Sequence, residues 1–247
     1  MIPSLGVIAA SGLTGPDAAV ALMESARSWY SSQTTAAADQ EVDNRNDGTA
    51  DPLVRGSTTG VDANDPVFND VDKVWELDST AGLYLNLPTS DRPSFTATTG
   101  TYTVMVCFEG ANAGGFTRAY SAEPSVSKGL CLQMHYGDCR AYVGGTGGAA
   151  YSKLGGVLTS GREVVAGVVD TGQVKSYRHG SGLDSGASIT GVGTITYGGP
   201  IIGGRADDYT ANSFVRDTYE VLIWDGALTE TELDLVAAKI KAGGYIV

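Results

Sequence analysis

The sequence predicts an all-β protein, built as one antiparallel sandwich with a helix near each end. Short apolar and β-branched runs recur at roughly ten-residue spacing through much of the chain, separated by turn residues. The 34 glycines and a charged fraction of only 18% are typical of a turn-rich β protein rather than a disordered or membrane chain. At 247 residues the chain can bury a sizeable core, so we expect one main domain.

A helix is predicted at the N-terminal end, from about residue 16 to residue 30. Pro16 suits the first helical position, where its missing N–H costs nothing. Apolar residues at helical spacing form one stripe: Ala19, Leu22, Met23, Ala26, Trp29 and Tyr30. The stripe either packs on the domain or docks it onto a neighbouring subunit. In the second case Leu22, Met23, Trp29 and Tyr30 would be the interface residues.

The stretch from residue 34 to residue 72 is predicted to be a long, loop-rich entry to the main domain. Its polar turn signals fall at residues 44–48, 56–60 and 62–66. We therefore divide the chain into an N-terminal extension, residues 1–33, which carries the helix and could dock the domain, and a main domain, residues 34–247.

The strands of the sandwich are predicted from alternation and from the turns between them. They cover residues 101–108, 130–136, 139–143, 163–170, 173–179, 200–205 and 218–224. Two of the gaps are short enough to be hairpin turns, at Gly137-Asp138 and at Thr171-Gly172.

A second helix is predicted to close the domain, over residues 229–242. Thr229 is placed to cap it, and Glu232 three residues on completes a capping box. Its predicted buried stripe is Leu233, Val236, Ala237 and Ile240. Gly243 then ends the helix.

Two stretches of the sequence resemble known families. The strand ending in Trp224-Asp225-Gly226, followed by LTETEL at residues 228–233, resembles the end of laminin-G-like, concanavalin A-type jelly-roll domains. RGSTTGVDANDP at residues 55–66, with GLYLNLP at residues 82–88, is similar to minor tail proteins of tailed phages that infect actinobacteria. The resemblance covers residues 29–88 and, more generally, 101–243. It implies a jelly-roll virion protein that is synthesised in the host cytoplasm.

Charge and cysteine content restrict the partners and the compartment. The net charge of −12 argues against binding to nucleic acid or to an anionic membrane. No apolar run approaches the roughly 20 residues that span a bilayer, so we expect no membrane insertion. Three cysteines do not form a disulfide framework, and we expect free, mostly buried thiols and synthesis in a reducing cytoplasm. Cys131 and Cys139 in particular are predicted to lie too far apart to bridge.

Catalytic motifs are weak, so we expect the protein not to be an enzyme. Retaining glycoside hydrolysis needs two carboxylates about 5 Å apart, which on a strand means residues spaced by two or four. Asp70, Asp72, Glu76 and Asp78 come nearest, but they lack the Glu-x-Asp-x-Glu spacing of the hydrolases with this fold. The two histidines do not have metal-ligand spacing.

The resemblance implies a ligand site at the rim of the sandwich. No cofactor is expected to be required, but laminin-G-like domains often hold Ca²⁺, and Asp207, Asp208 and Asn212 could supply its oxygen ligands. The alternative is an ordinary solvated acidic loop. For a glycan, Tyr209 and Tyr177 would stack on the sugar, and Arg178, Asp207 and Asp208 would bond to it. The alternative for these residues is cross-strand packing.

Three functions follow from these observations. The first is a non-enzymatic structural protein of a tailed-phage virion, a minor tail or capsid decoration protein that adheres to host-surface carbohydrate. The second is a free carbohydrate-binding protein or a glycan-active enzyme of the same fold. The third is a purely architectural spacer that binds no sugar. For the virion protein we expect other virion proteins as partners and a homo-oligomer, because weak glycan sites gain from many symmetric copies.

Overall fold

Within the residues that the structure describes, the fold consists of two antiparallel sheets and two α-helices. The computed structural model describes residues 16–36, 38–46, 48–56, 58–63, 65–78, 83–109, 116–125, 127–156, 161–204 and 215–243. The helices are α1 (Pro16–Glu24) and α2 (Glu230–Ala242). In chain order the strands are β1 (Ser28–Ser31), β2 (Glu41–Asn44), β3 (Gly48–Arg55), β4 (Val67–Asn69), β5 (Val74–Asp78), β6 (Leu85–Asn86), β7 (Thr101–Glu109), β8 (Phe116–Ser121), β9 (Gly129–His135), β10 (Asp138–Gly145), β11 (Gly148–Leu154), β12 (Arg162–Asp170), β13 (Gln173–Arg178), β14 (Gly182–Leu183), β15 (Ala187–Ser188), β16 (Ile201–Ile202) and β17 (Val215–Trp224).

The sheet orders show why the chain forms a jelly roll. Within the described residues, the larger sheet has the order β14-β13-β12-β7-β17-β5-β4, with β1 paired to β17 and β15 to β13. The smaller sheet has the order β11-β10-β9-β8-β16-β6-β3-β2. Sequence neighbours such as β7 and β8 lie in different sheets, so the chain crosses repeatedly between them. The predicted antiparallel jelly-roll sandwich, with an N-terminal and a C-terminal helix, is confirmed.

The main core lies between the two sheets. Val104 and Val106 of β7 face Leu132 of β9 and Ala141 of β10 across it. On β7 and β12 the residues that point away from this core are buried as well. The reason is that the outer face of the larger sheet is itself covered. These two strands are therefore nearly continuous apolar runs, which is how a strand buried on both faces looks in sequence.

Both helices cover the outer face of the larger sheet and pack against each other. The capping box of α2 is present, with Thr229 Oγ1 accepting from the Glu232 N–H. The predicted stripe of α2, residues Leu233, Val236, Ala237 and Ile240, is buried as expected. Within the described residues, neither helix is long and apolar enough to cross a membrane.

The N-terminal helix is shorter than predicted, and the predicted interface is wrong. Helix α1 ends at Glu24, and Trp29 and Tyr30 lie on β1, opposite Leu222 and Val221 of β17. The indole of Trp29 donates to Glu220 at 2.8 Å, and the hydroxyl of Tyr30 donates to Asp91 at 2.8 Å. These two buried carboxylates hold β1 in the larger sheet.

The side chains proposed as interface residues are inside the molecule. Leu22, Met23, Trp29 and Tyr30 are each at most 2% exposed. Leu22, Met23 and Trp29 pack under the helices, and Tyr30 enters the core between the sheets. The alternative interpretation, that the stripe packs on the domain, is the correct one.

The predicted loop-rich entry contains three strands. Residues 34–72 include β2, β3 and β4. The turn signal at residues 44–48 is the connection of a hairpin in which Asn44 pairs with Gly48. Single buried residues, such as Val42 and Leu53, anchor these polar strands to the core. With so few apolar positions, the sequence of the strands shows little of the alternation that predicts a strand.

Both predicted hairpins form, but one turns a residue earlier than expected. Asp170 pairs with Gln173, so Thr171-Gly172 is the turn as predicted. In the other hairpin His135 pairs with Asp138, and the turn is Tyr136-Gly137. Both residues of that turn have positive φ, 47° and 93°, as a tight two-residue hairpin requires.

The cysteine prediction is confirmed. Cys107, Cys131 and Cys139 are free and fully buried. Cys139 faces the core between the sheets, opposite Met134, while Cys131 is opposite Tyr142 on the other face of the smaller sheet. Burial raises the pKa of all three thiols, so none is an activated nucleophile.

Candidate functional site

The outer face of the smaller sheet is where we place the candidate site, since both helices cover the opposite side of the sandwich. Leu132 of β9 and Ala141 of β10 point into the core between the sheets. Because successive side chains on a strand alternate between faces, Gln133, Arg140 and Tyr142 point outward.

The register of four strands brings these outward residues into two rows. The first row crosses β8, β9, β10 and β11 and consists of Arg118, Gln133, Arg140 and Lys153. The second row consists of Ser121, Cys131, Tyr142 and Tyr151. We call Arg118, Glu123, Gln133, Arg140 and Tyr142 the outer-face cluster.

A buried ion pair forms one end of the outer-face cluster. Arg118 Nε lies 2.5 Å from Glu123 Oε2, and the two residues are 5% and 0% exposed. Glu123 also accepts from Ser121 Oγ at 3.1 Å and from the Ser127 N–H at 3.2 Å. The carboxylate therefore ties the loop of residues 122–128 to the strands beside it.

Three polar atoms of the cluster are buried without a hydrogen-bond partner in the part of the chain that the structure describes. They are Arg118 Nη1, Arg140 Nε and Tyr142 Oη. Leaving a buried donor unpaired costs about 1–3 kcal/mol, so native proteins seldom do it without a functional reason. Three such atoms on one face of one sheet mark this cluster as the candidate site.

Charged and aromatic side chains border the cluster at the edge of the sheet. Tyr151 is 60% exposed, and the guanidinium of Arg140 lies 5.9 Å from its ring centroid. Asp138 lies 3.2 Å from Arg140 Nη2 and 3.0 Å from Lys153 Nζ. Burial opposes ionisation of Asp138, but the hydrogen bonds from Lys153 and Arg140 outweigh it and lower its pKa.

Burial lowers the pKa of His135 on the same face, and the positive charge of Arg140 lowers it further. The lowered pKa favours the neutral form of His135. The cluster and its border hold three cationic side chains, those of Arg118, Arg140 and Lys153, against the two carboxylates of Glu123 and Asp138. The cluster and its border thus carry a net charge of +1, in a chain of net charge −12.

An open cleft lies further along the same face. Its volume is about 530 Å³, and it is lined by Pro52, Val54, Asn86, Leu87, Pro88, Thr89, Gly199 and Ile201. Val54, Asn86 and Ile201 are in register with Ser121, so the cleft continues the second row across the sheet. Five strand spacings of about 4.8 Å separate Val54 from Tyr142, or about 24 Å.

Two residues proposed for glycan binding cannot serve that purpose, so this part of the prediction is wrong. Tyr177 is fully buried beneath α2, where its hydroxyl donates to Asp234 at 2.7 Å. Arg178 is 8% exposed and pairs with Glu163 at 3.0 Å. The cause is that β13 is covered on both faces, by α2 on one side and by the smaller sheet on the other.

The other predicted site residues, Asp207, Asp208, Tyr209 and Asn212, lie outside the described residues. Calcium binding there stays a prediction. Within the described ranges, no group of three or more His, Cys, Asp or Glu side chains is arranged to hold a metal ion.

The carboxylates considered for catalysis lie on the other sheet. Glu76 of β5 and Glu109 of β7 both pair with Asp217 of β17. Burial raises the pKa of Asp217, and the negative charges of Glu76, Glu109 and Asp72 raise it further. Glu109 accepts from Tyr219 and Glu76 from Asn69, so these carboxylates are held by their neighbours. None of these carboxylates is among the residues that line the cleft on the smaller sheet.

The order and packing of the two sheets define a jelly-roll sandwich, and solved structures with this fold match the chain. No protein-family model matches the sequence, and no curated protein matches it. The botulinum neurotoxin serotype D binding domain is 12% identical, with a TM-score of 0.63 over 88% of this chain and 52% of that chain. The serotype G binding domain is also 12% identical, with a TM-score of 0.62 over 88% and 51%.

A third match is the serotype D ligand-binding domain in complex with N-acetylneuraminic acid. It is 13% identical, with a TM-score of 0.61 over 89% of this chain and 52% of that chain. The chain therefore spans about half the length of these domains. Identities this low show the shared fold alone, and a fold does not fix a function.

Proposed function

We propose that the protein is a non-enzymatic, carbohydrate-binding structural protein of a tailed-phage virion, with its glycan site on the outer face of the smaller sheet. The observation that carries the binding part is the group of unpartnered polar atoms of Arg118, Arg140 and Tyr142 beside an exposed tyrosine. A sugar presents both hydroxyl oxygens and an apolar ring face. Such a ligand suits hydrogen-bond donors next to the ring of Tyr151.

The solved structures support a binding role. They are binding domains of a neurotoxin, and one of them is in complex with a sugar acid. The low identity means that their ligand does not transfer to this chain residue by residue. The support is that the same sandwich serves as a binding module elsewhere.

The virion part of the proposal rests on the resemblance of residues 55–66 and 82–88 to minor tail proteins of phages. The buried positions of Leu22, Met23, Trp29 and Tyr30 mean that attachment to a particle must use another surface. The alternative is a free carbohydrate-binding protein, which would use the same face without being part of a particle.

Glycan binding is tested with the purified protein on an array of bacterial surface glycans. We expect binding, and we expect Tyr151→Ala to weaken it at least tenfold through loss of the stacking ring. Val61→Ala is the matched control, since Val61 is 84% exposed and is not part of the outer-face cluster. If the wild-type protein binds no glycan on the array, the carbohydrate part of the proposal fails.

The virion part is tested by imaging purified particles at a resolution that places the chain. We expect the protein in repeated, symmetric copies, with the outer face of the smaller sheet directed away from the particle. Absence of the chain from particles would leave the free carbohydrate-binding protein as the better account.

A further inference from the structure

We infer that the ligand of the outer-face cluster is an anionic sugar, whose carboxylate or phosphate oxygens accept hydrogen bonds from Arg118, Arg140 and Tyr142. The inference deepens the proposed function, because it assigns a ligand class to the same site.

The unpartnered atoms can form hydrogen bonds with a ligand that supplies acceptor oxygens. Arg118 Nη1 and Arg140 Nε are N–H groups that can only donate, and a guanidinium in a protein does not lose its proton. The hydroxyl of Tyr142 can donate as well. A group with several acceptor oxygens satisfies all three atoms, whereas another donor satisfies neither guanidinium.

The charges of the site favour an anion over a neutral hydroxyl. Glu123 already accepts from Arg118, Ser121 and Ser127, and Asp138 is paired with Arg140 and Lys153. The two carboxylates of the cluster and its border are thus already paired, while, within the described residues, Arg118 Nη1 and Arg140 Nε are not. Since Arg118 is only 5% exposed, its attraction to an anion is screened less by water than that of a surface arginine.

The register places the donors close enough to act on one ligand group. Arg118 and Arg140 lie on either side of Gln133, one strand spacing away in each direction, so their Cα atoms are about 10 Å apart. Tyr142 is the next outward residue after Arg140 on the same strand. The Arg118 guanidinium bonds to Glu123, and the Arg140 guanidinium lies by Asp138 and Tyr151. A carboxylate or phosphate bound by both arginines would therefore have to lie between them, above Gln133.

The exposed edge of the sheet provides the way in. Tyr142 lies directly opposite Tyr151, and Arg140 lies opposite Lys153. Half of the Lys153 side chain is exposed, against 19% of the Arg140 side chain. A sugar that stacks on Tyr151 meets Lys153 first. Because the donor atoms of Arg140, Tyr142 and Arg118 are buried, the side chains that cover them must move before the ligand reaches them.

Calorimetric titration with matched ligands tests the inference. The probes are an oligogalacturonide, its methyl ester, which has no charge, and a glycerol-phosphate polymer. We expect an anionic probe to bind at least tenfold more tightly than the neutral ester and to lose affinity as salt is added. Binding of the carboxylate probe alone, or of the phosphate probe alone, identifies which anion the site takes.

Tyr142→Phe is the decisive variant, because it removes only an unpartnered hydroxyl. We expect its melting temperature to be unchanged or higher, while its affinity for the anionic probe falls about tenfold. Arg140→Gln should weaken binding as well. Tyr219→Phe is the matched control, since this hydroxyl bonds to Glu109 on the other sheet and its loss should leave binding unchanged.

The outcomes separate this inference from the proposed function. Equal binding of the ester and the acid would overturn the anionic ligand and leave carbohydrate binding in place. Wild-type affinity in Tyr142→Phe would show that the ligand binds elsewhere. If no probe binds and no glycan on the array binds, both the inference and the carbohydrate part of the proposed function fail.

Discussion

At Gly144 the loop before β9 lies directly against the smaller sheet. A Cβ atom there would lie 1.8 Å from the carbonyl oxygen of Ser127. We expect Gly144→Ala to lower the free energy of unfolding by about 1–3 kcal/mol, because loop and strand must separate. Thermal denaturation measures the change, with Gly191→Ala as the control, since a Cβ at Gly191 meets nothing within 4 Å. Equal melting temperatures for the two variants would contradict the close contact.

Asp217 gives a prediction for the dependence of stability on pH. Its pKa is raised above the ordinary value of 3.8 by burial and by Glu76, Glu109 and Asp72. Between the ordinary and the raised pKa, the folded state binds more protons than the unfolded state, so stability falls as pH rises through this window. We expect Asp217→Asn to stabilise the protein by about 0.5 kcal/mol at pH 7, because it removes like charges on paired strands.

The gain from Asp217→Asn should shrink as pH falls and vanish below about pH 3.8, where the aspartate is itself neutral. Denaturant titrations at several pH values measure this. Asp43→Asn, at an exposed position on β2, is the control and should show no such trend. A gain that is independent of pH would argue against charge repulsion as its cause.

At the level of single residues, the sequence predicted which side chains are buried better than which side chains bind a ligand. The stripe of α2 and the free, buried cysteines follow from spacing and composition and are confirmed. The position of Tyr177 and Arg178 at the end of a predicted strand suggests that they lie at the rim. Only the packing of α2 on one face of β13 and of the smaller sheet on the other shows that both are buried.

Among the elements, the stability of α2 depends on the hydrogen bonds that cap its first turn. The Thr229 side chain accepts from the Glu232 N–H, and the Glu232 carboxylate accepts from the Thr229 N–H at 2.8 Å. We expect Thr229→Ala to destabilise the protein by about 1 kcal/mol. Thr231→Ala, at an exposed position one residue inside the helix, should cost less than half as much. Chemical denaturation compares the two, and equal costs would mean that the cap contributes nothing.

The first helix illustrates why an element can be misassigned from sequence. Leu22, Met23, Trp29 and Tyr30 fit helical spacing, but adjacent buried residues also fit a strand covered on both faces. The choice between helix and strand at residues 28–31 is made by pairing with β17, almost 200 residues later in the chain. No local pattern contains that information.

For the whole molecule, the first described residues contribute both to the cluster beneath the helices and to the core between the sheets. Helix α1 and β1 supply Leu22, Met23 and Trp29 to the cluster beneath the helices. We expect Trp29→Ala to cost about 3–5 kcal/mol, and a chain that begins at residue 34 to lose its cooperative thermal transition. Val71→Ala, at a position 91% exposed, should change stability by no more than about 0.5 kcal/mol.

Circular dichroism during heating measures the thermal transition of Trp29→Ala, of Val71→Ala and of the chain that begins at residue 34. If the chain that begins at residue 34 melts cooperatively and near the wild-type temperature, residues 1–33 are a separable extension after all. Such a result would favour the docking role that the sequence suggested for this segment.

The outer-face cluster could not have been assembled from the sequence. Arg118, Gln133 and Arg140 lie on three different strands, and their proximity depends on the register of β8, β9 and β10. The hairpin turn was placed one residue late, which alone shifts every cross-strand pair between β9 and β10. The one available signal was the occurrence of Arg118, Arg140 and Lys153 on three of four successive strands in an otherwise acidic chain.

Pro16 and Gly243 adjoin the two helices that cover the larger sheet, so both lie on the side opposite the outer-face cluster. A molecule tethered to a bead or sensor chip close to either residue would present the cluster to the solution. Coupling through lysines would instead engage Lys153 at the entrance of the site. Avidity measured on the two kinds of surface should therefore differ, because only the first displays all copies in one direction.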